Sequence, residues 1–540
     1  MITWVSTVTA PVFWSFLLLV GVAVFVLRRS PASADEYRVP LYPLTPLVFC
    51  ASCVWLAWSS ITYAASRNAV HVSLGVMAIG LLVLLMLSIV MGGQVAADPV
   101  LGPMFTLKGE TLALSLIAYG FVASVLPVWL LLAPRDYLST FLKIGTIIAL
   151  AIGILIVAPK MQMPQLTQFA AGGGPVWSGN LFPFLFITIA CGAVSGFHSL
   201  ISSGTTPKLL ENETQARFIG YGAMLMESFV AIMALVAASV INPGVYFAMN
   251  SPAALVGATP DVVAQTLSTW GFVITPDVLI QTAKDVGENT ILARAGGAPT
   301  LAVGMAHILH QVVGGQAMMA FWYHFAILFE ALFILTAVDA GTRAGRFMLQ
   351  DLLGTFVPAL KRTDSLVANL IATAATVALW GYFLYQGVVD PLGGINTLWP
   401  LFGISNQMLA AIALTLGTCV LVKMKRDRYV WVTLLPTAWL LICTLTAGWQ
   451  KLFDPDPKIG FLAHANKYAG AIAEGKLLAP AKSVAQMQQI VLNDRIDAFL
   501  CGLFVLVVVS IGWYGVRTVL KARAANRPTV NETPYEALGA

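Results

Sequence analysis

Apolar stretches near the length needed to cross a bilayer recur along the chain. A crossing helix needs about 20 residues, and twelve segments approach that length: 11–27, 44–66, 71–92, 111–132, 141–157, 181–203, 218–241, 316–338, 366–386, 400–423, 430–447 and 498–518. A shorter run, 299–314, is predicted to be a half-helix or a re-entrant segment. Two long polar connections, 242–298 and 448–497, are predicted to be loops on one face with short surface helices. The pattern predicts an all-α polytopic membrane protein with about 12 transmembrane helices.

One apolar segment changes character before it is long enough to cross. The run Leu181–Cys191 continues into 192–206, where Gly, Ser and Thr dominate and no residue is charged. In lipid, backbone N–H and C=O groups need partners, so a helix loosens only against protein or a wet cavity. The stretch therefore predicts a broken helix of the kind with which secondary transporters bind substrate. The alternative is that these small residues let helices pack closely.

Composition narrows the class of protein. The chain is 58% hydrophobic and only 10% charged, whereas a soluble domain carries about 25% charged residues. The net charge of +5 is spread over short loops, so binding to nucleic acid is not expected. Cys50 and Cys53 have the C-x-x-C spacing that occurs in redox and metal sites, although free cysteines in apolar segments are more often ordinary buried thiols. No basic region precedes the first apolar run, so no cleavable signal peptide is predicted.

The positions of Lys and Arg predict the orientation, because short cytoplasmic loops concentrate these residues. Three clusters are strongest: Arg343/Arg346/Lys361/Arg362, Lys423/Lys425/Arg426/Arg428 and Arg517/Lys521/Arg523/Arg527. If they are cytoplasmic, both long connections lie outside and the C-terminus lies in the cytoplasm. Continuing the alternation backwards places Arg28 and Arg29 outside, which the rule disfavours.

Five ordered stretches resemble one transporter family. They are GAVSGFHSLISSGTTPKLLENETQARFIGYGAMLMESFVA (192–231), YGFVASVLPVWLLLAPRDYLSTFLKIGT (119–146), AGGAPTLAVGMAHILH (295–310), FWYHFAILFEALFILTAVDAGTRAGRFMLQDLLG (321–354) and GVVDPLGGINTLWPLFGISNQMLAA (387–411). Over about residues 90–535 the chain resembles the carbon starvation protein A family. The resemblance implies a bacterial inner-membrane secondary transporter of the amino acid–polyamine–organocation superfamily. It also implies a LeuT-like core with discontinuous helices, and uptake of peptides or pyruvate under carbon starvation, coupled to protons.

The start of the chain departs from that family. Members carry an adjacent His pair near their first helices, which is absent from this sequence, and residues 11–75 resemble the last helices of an amino-acid permease. These features predict a fusion of two sequences joined near residues 75–95. In such a fusion the first of the inverted repeats that form the LeuT-like core would be incomplete. The predicted domains are therefore the permease-like helices of residues 1–75, a transporter domain of residues 76–519 and a cytoplasmic tail of residues 520–540.

Polar residues in and near the predicted break are the candidates for substrate binding. Exposed N–H groups at a half-helix start attract a carboxylate. The candidates are Ser195, Gly196, His198, Ser199, Ser202, Ser203, Thr205, Thr206, Asn406 and Gln407. His198 is either a proton carrier or a histidine hydrogen-bonded within the core, and Asn406 and Gln407 either bind substrate or join helices.

Four further residues are candidates for proton coupling: Glu330, His324, Glu227 and Asp339. A lone carboxylate in the bilayer centre is costly, so it is usually paired, protonated or functional. The alternatives are a structural hydrogen bond for Glu330 and a local pair between Asp339 and Arg343, four residues on. His307 and His310 share a helical face, but a third ligand is not evident, and no metal or cofactor is predicted.

Three functions compete at this point. The first is a proton-coupled importer of a small carboxylate or short peptide, whose partners are that substrate, protons and the lipid bilayer. The second is an intramembrane enzyme, which is disfavoured because the sequence lacks an H-E-x-x-H motif and a defined nucleophile–base pair. The third is a non-transporting sensor or an inactive fusion product.

Overall fold

The structure, a computed structural model, is all-helical in the part of the chain that it describes. That part is residues 18, 44–525 and 528, apart from 67–69, 127–131, 190–191, 193, 364 and 391. Its α-helices are α1 (Leu44–Ser66), α2 (Val70–Ala97), α3 (Leu101–Phe105), α4 (Gly109–Val125), α5 (Leu132–Val157), α6 (Leu181–Thr188), α7 (Gly196–Gly204), α8 (Gln215–Val240), α9 (Pro243–Asn250), α10 (Ala253–Val256), α11 (Pro260–Thr269), α12 (Pro276–Asp285), α13 (Gly297–Val312), α14 (Met319–Gly354), α15 (Leu366–Val389), α16 (Gly394–Lys423), α17 (Val430–Phe453), α18 (Phe461–Ala473) and α19 (Val484–Ala524).

The helices confirm a polytopic membrane protein. In the described residues, seven helices are long and apolar enough to cross a membrane: Ser139–Val157, Gln215–Val240, Gln316–Gly354, Leu366–Val389, Leu398–Lys423, Asp427–Phe453 and Val484–Ala524. Helices α1 and α2 coincide with the predicted segments 44–66 and 71–92, whereas segment 11–27 lies outside the described residues. The total of twelve spans stays a prediction.

The chain divides into two compact units, each with its own internal contacts. The first comprises Met1–Pro103 with Ala133–Thr146, and the second Met104–Leu132 with Ile147–Ala540. In the first unit, α1 and α2 pack against each other. The second unit contains every candidate substrate or proton residue named above.

The predicted loop 242–298 is a folded layer of short helices. Three of them begin with proline, at Pro243, Pro260 and Pro276; proline suits a first helical turn because its missing N–H would lack a partner there anyway. The Asn242 side chain caps α9 by accepting the Gly244 N–H at 2.8 Å. Helices α9, α11 and α12 contribute to one apolar core with α13, which is the short run 299–314.

A second core holds the broken segment in place. The middle of α16 packs against α17 and α19, and its buried side chains Ile404, Met408 and Ala411 form one cluster with Phe184 and Ile187 of α6. Helix α7 packs between α16 and α14. The broken segment is therefore anchored to long helices on both sides.

Candidate functional site

The predicted break is present where the Gly/Ser/Thr-rich stretch begins. Helix α6 ends at Thr188, and α7 begins at Gly196 after Ser195, whose backbone is extended (φ −102°, ψ 121°). A helix end leaves four backbone groups without partners inside the helix. The interruption therefore exposes N–H groups of α7 and C=O groups of α6 that must be satisfied by other parts of the protein.

Two glycines let the backbones around the break approach α16 closely. A methyl group on Gly196 would lie 2.7 Å from the Ala410 backbone nitrogen, and closer still to the Asn406 carbonyl oxygen. A methyl group on Gly403 would lie 2.5 Å from the Ile187 carbonyl oxygen. Carbon atoms in contact normally sit about 3.5–4.0 Å apart. Neither position has room for a side chain, so both halves of the break pack directly on α16.

Two amide side chains of α16 satisfy backbone groups on the two sides of the break. Asn406 Oδ1 accepts the Phe197 N–H at 2.8 Å and the Ser195 hydroxyl at 3.3 Å. Gln407 Nε2 donates to the Phe186 carbonyl near the end of α6. These contacts agree with the interpretation that Asn406 and Gln407 join helices.

Each of these amides keeps one polar atom uncommitted. Asn406 is 4% exposed and Gln407 1% exposed, yet among the described residues neither Asn406 Nδ2 nor Gln407 Oε1 has a hydrogen-bond partner. The amide orientations follow from the bonds already made, since an N–H requires the oxygen and a carbonyl requires the nitrogen. Buried polar atoms are nearly always hydrogen-bonded. The break therefore presents one free donor and one free acceptor.

The hydroxyl groups along α7 are committed to their own helix. They donate to backbone carbonyls three or four residues earlier: Ser199 to Gly196 at 2.6 Å, Ser202 and Ser203 to Ser199 at 3.1 and 2.8 Å, and Thr205 to Ile201 at 3.3 Å. Such bonds leave only the oxygen lone pairs for a ligand. Thr206 opens a short 3₁₀ turn, Thr206–Lys208, and His198 is exposed.

The predicted proton-coupling residues are spread along α14 and α8. Asp339 is buried and accepts the Tyr119 hydroxyl at 3.0 Å. It lies two residues before Gly341, where α14 contacts the Phe197 ring of α7. Glu330 is half-buried, about 13 Å earlier along α14 at 1.5 Å per residue. His324 is exposed, and Glu227 is half-buried on α8.

Two arginines counted as loop charges are buried in α14, which continues to Gly354 beyond the predicted end at 338. Arg343 donates to the carbonyls of Ala123 and Leu126 at 2.8 and 2.9 Å, and Arg346 donates to that of Ser124 at 2.8 Å. These carbonyls lie at the C-terminal end of α4, where a positive charge is favourable. The two arginines thus cap α4.

A polar cluster that was not predicted from the sequence lies in the first half of α19 and on its neighbours. It contains Asp390, Asp494 and Asp497 together with Lys451 and His464, and all but His464 are buried. The available signal was the pair of carboxyls at 494 and 497, directly before the apolar segment 498–518. In the described residues no group of three or more His, Cys, Asp or Glu is arranged to hold a metal ion.

Comparison with known proteins places these features in a family. The model of the family described as carbon starvation protein CstA matches residues 3–447, a range that runs across residue 75. The chain is 67% identical over 455 residues to the peptide transporter CstA of Escherichia coli (strain K12). The matched region covers 83% of this chain and 65% of that protein. The chain is 61% identical over 477 residues to the pyruvate/proton symporter BtsT of the same strain, covering 84% and 66%.

A more distant relative has the same pattern. The peptide transporter CstA of Mycobacterium tuberculosis (strain ATCC 25618 / H37Rv) is 50% identical over 460 residues, covering 84% of this chain and 61% of that protein. The chain thus spans just under two thirds of the length of these curated relatives. No solved structure matches it. With the family model covering most of its length, the chain belongs to the carbon starvation protein CstA family.

Proposed function

We propose that this protein is a secondary active transporter that imports a small carboxylate such as pyruvate, or short peptides, with protons during carbon starvation. Its relatives are named as a peptide transporter and a pyruvate/proton symporter. The broken helix against α16 is the kind of element that binds substrate in secondary transporters. These observations favour transport over an enzymatic or a sensing role.

The observation that carries the proposal is the uncommitted pair of atoms at the break. Asn406 Nδ2 is a donor suited to a carboxylate oxygen, which both pyruvate and a peptide possess. Gln407 Oε1 is an acceptor, and of the two substrate classes only a peptide offers N–H groups to it. In this proposal Asn406 binds the carboxylate of either substrate, and Gln407 favours peptides.

The rest of the proposed site surrounds that pair. Ser195 and Gly196 hold the backbone of the break against α16, and the oxygens of Ser199, Ser202, Ser203, Thr205 and Thr206 and the ring of His198 are available as further substrate contacts. Asp339, which lies close to α7, together with Glu330, His324 and Glu227, is proposed to carry protons.

The proposed architecture extends the helices already described. We propose about twelve transmembrane helices and a LeuT-like core with discontinuous helices, of which α6 and α7 would be one. The protein would lie in the bacterial inner membrane with its C-terminus in the cytoplasm. It would not be an enzyme. The division into 1–75, 76–519 and 520–540 stays a prediction, and the family match runs across its first boundary.

Counterflow in proteoliposomes tests this function. Labelled pyruvate and labelled dialanine are supplied outside vesicles loaded with the same unlabelled compound, and we expect exchange of at least one of them. Asn406→Asp retains the Oδ1 acceptor but replaces the donor with a negative charge. A hydrogen bond to a charged group contributes about 1.5–3 kcal/mol, so substrate affinity is expected to fall about 10- to 100-fold.

The matched control is Ser405→Ala, one residue away, because the half-buried Ser405 side chain donates only to the Phe402 carbonyl of its own helix. Its affinity should equal that of the wild type. A stable, correctly inserted wild-type protein that exchanges neither compound would refute the proposed function. Equal affinities for Asn406→Asp and Ser405→Ala would refute the role of Asn406.

A further inference from the structure

A second polar site lies away from the helix break, where the end of α15, the end of α17, α18 and the first turns of α19 meet. We call Asp390, Asp494 and Asp497 the three-aspartate cluster. They are 7%, 4% and 2% exposed, which is unusual because acidic side chains are almost never fully buried unless they are paired. The three aspartates differ in the hydrogen-bond donors that their carboxyl groups have.

Two of the three carboxyls have hydrogen-bond donors. Asp390 accepts the Leu392 N–H at 2.8 Å and the Asn493 amide at 2.7 Å, one on each oxygen. Gln489, which contacts the Gln386 and Asn493 side chains, extends this network. Asp494 Oδ2 lies 2.6 Å from His464 Nδ1. Both carboxyls therefore have hydrogen-bond partners inside the protein, as buried polar groups normally do.

Asp497 is different from its two neighbours. Among the described residues its buried Oδ2 has no hydrogen-bond partner. Its side chain lines a small cavity with Asp390, Asn493 and Gln386, which has room for about one water molecule. A buried carboxylate without a donor is strongly disfavoured, and such a group usually becomes neutral instead.

The charged and titratable groups around Asp497 come from every neighbouring helix. Asp494 and Cys501 lie on α19 itself, and Lys451 lies near the end of α17. Tyr382 of α15 lines the same cavity, and Asp390 directly follows that helix. His464 and Tyr468 of α18 lie beyond Asp494; Tyr468 donates to the Ala479 carbonyl at 2.9 Å, and Cys501 donates to the Gly448 carbonyl at 3.7 Å. The one buried cation in this set is Lys451, so it is the group able to stabilise an ionised Asp497.

Among the described residues, Lys451 is buried against aromatic rings and not against a carboxylate. It is 8% exposed, and its ammonium group lies 5.6, 5.7 and 5.3 Å from the ring centres of Trp177, Phe184 and Phe461. Aromatic faces attract a cation without accepting a conventional hydrogen bond. No ion pair of Lys451 is formed within the described chain. Within the same part of the chain, Asp497 thus has a carboxyl oxygen without a donor while Lys451 contacts aromatic rings, and loss of a proton from Asp497 would favour an Asp497–Lys451 pair.

We propose that Asp497, which lines a small cavity beside α15, is a proton-binding residue of this protein. When Asp497 releases its proton, the carboxylate forms an ion pair with Lys451 instead. The role of this proton in transport rests on the function proposed above. Asp497 directly precedes the apolar segment 498–518, on the side of the chain that the Lys and Arg pattern predicts to face outward. A proton entering from outside would reach this carboxyl before crossing the membrane.

Infrared difference spectroscopy on the purified full-length protein tests proton binding without any transport. As the pH is raised stepwise, the wild type is expected to lose a protonated-carboxyl band that Asp497→Asn lacks. Asp497→Glu, which keeps a carboxyl, is expected to show the band at a shifted frequency. The control Asp277→Asn removes an exposed aspartate and should leave the band unchanged. A band that persists in Asp497→Asn, or that responds to Na⁺ instead of pH, would overturn the proposal.

Transport measurements separate this inference from the proposed function. In vesicles with an inward gradient of about one pH unit and no membrane potential, transport of one proton with each substrate molecule supports about tenfold accumulation. We expect Asp497→Asn to lose that accumulation and Asp497→Glu to recover part of it. If wild-type counterflow fails, the proposed function falls, while the infrared result still decides proton binding. Full accumulation by Asp497→Asn alongside working wild-type counterflow would refute the coupling role.

Discussion

Replacing Gly196 with alanine should destabilise the protein although the change adds one methyl group. That methyl would lie 2.7 Å from the Ala410 nitrogen, and closer to the Asn406 carbonyl oxygen and Leu409 Cβ. Contact distances are normally about 3.5 Å or more. Helix α7 and α16 must therefore move apart by more than about 1 Å, because the obstructing atoms are mostly backbone.

The shift has a calculable effect on stability. The Phe197 N–H bond to Asn406 Oδ1 is 2.8 Å long, and an extra 1 Å takes it past the usual limit of about 3.2 Å. Overpacking costs about 1–3 kcal/mol, and a buried unsatisfied N–H about as much again. The better helix propensity of alanine returns at most about 1 kcal/mol. We expect a net loss of about 1–5 kcal/mol in the free energy of unfolding.

Gly220→Ala is the matched control. Gly220 lies inside α8, and a methyl there would meet nothing within 4 Å. The same substitution should stabilise by about 0.5–1 kcal/mol. Unfolding of both variants in detergent, followed by tryptophan fluorescence, should give shifts of opposite sign. If Gly196→Ala is as stable as Gly220→Ala, the close approach of α7 to α16 is wrong.

Two further predictions concern helix ends. Arg343→Lys keeps the charge but removes Nη2, the one nitrogen that donates to both the Ala123 and the Leu126 carbonyl at the end of α4, and the ammonium of the shorter lysine does not reach the same position. Stability in the same unfolding assay should fall by about 1–3 kcal/mol. Arg428→Lys at an exposed site should change nothing, and equal behaviour of the two variants would refute the cap. Asp98 accepts the N–H groups of Val100 and Leu101 at 2.8 Å each, and these bonds lower its pKa below the ordinary 3.8. The carboxylate therefore stabilises the start of α3 above the ordinary pKa, and this contribution is lost as the pH falls through the lowered value. Hydrogen exchange over residues 98–105 should be faster in Asp98→Asn at neutral pH, and a difference that persisted in strong acid would contradict this account.

The positions of the helices were largely predictable, because a spanning helix needs a local apolar run. The break was predictable for the same reason, since Gly, Ser and Thr replace apolar residues within one segment, 192–206. Helix ends were less predictable. Helix α14 extends to Gly354, well past its apolar part, because its two arginines find carbonyl partners on α4.

The partners across the fold were not predictable from one sequence. Asn406 and the Phe197 N–H are 209 residues apart, and Asn493 and Asp390 are 103 apart. Neither pair is close enough in the sequence for its spacing to predict the contact. The residue types did suggest polar function at 406 and 407, but only the packed structure shows which atom of each amide is used and which is left over. The division at residue 75 and the proton carriers stay predictions.

Helix α19 is longer than a membrane crossing requires. Its 41 residues extend about 60 Å, twice the thickness of the hydrocarbon core. A rod of that length magnifies rotation: rocking its embedded half by about 10° would displace the opposite tip by about 5 Å. A tilt of the embedded half would therefore be transmitted to the part of α19 that lies outside the hydrocarbon core.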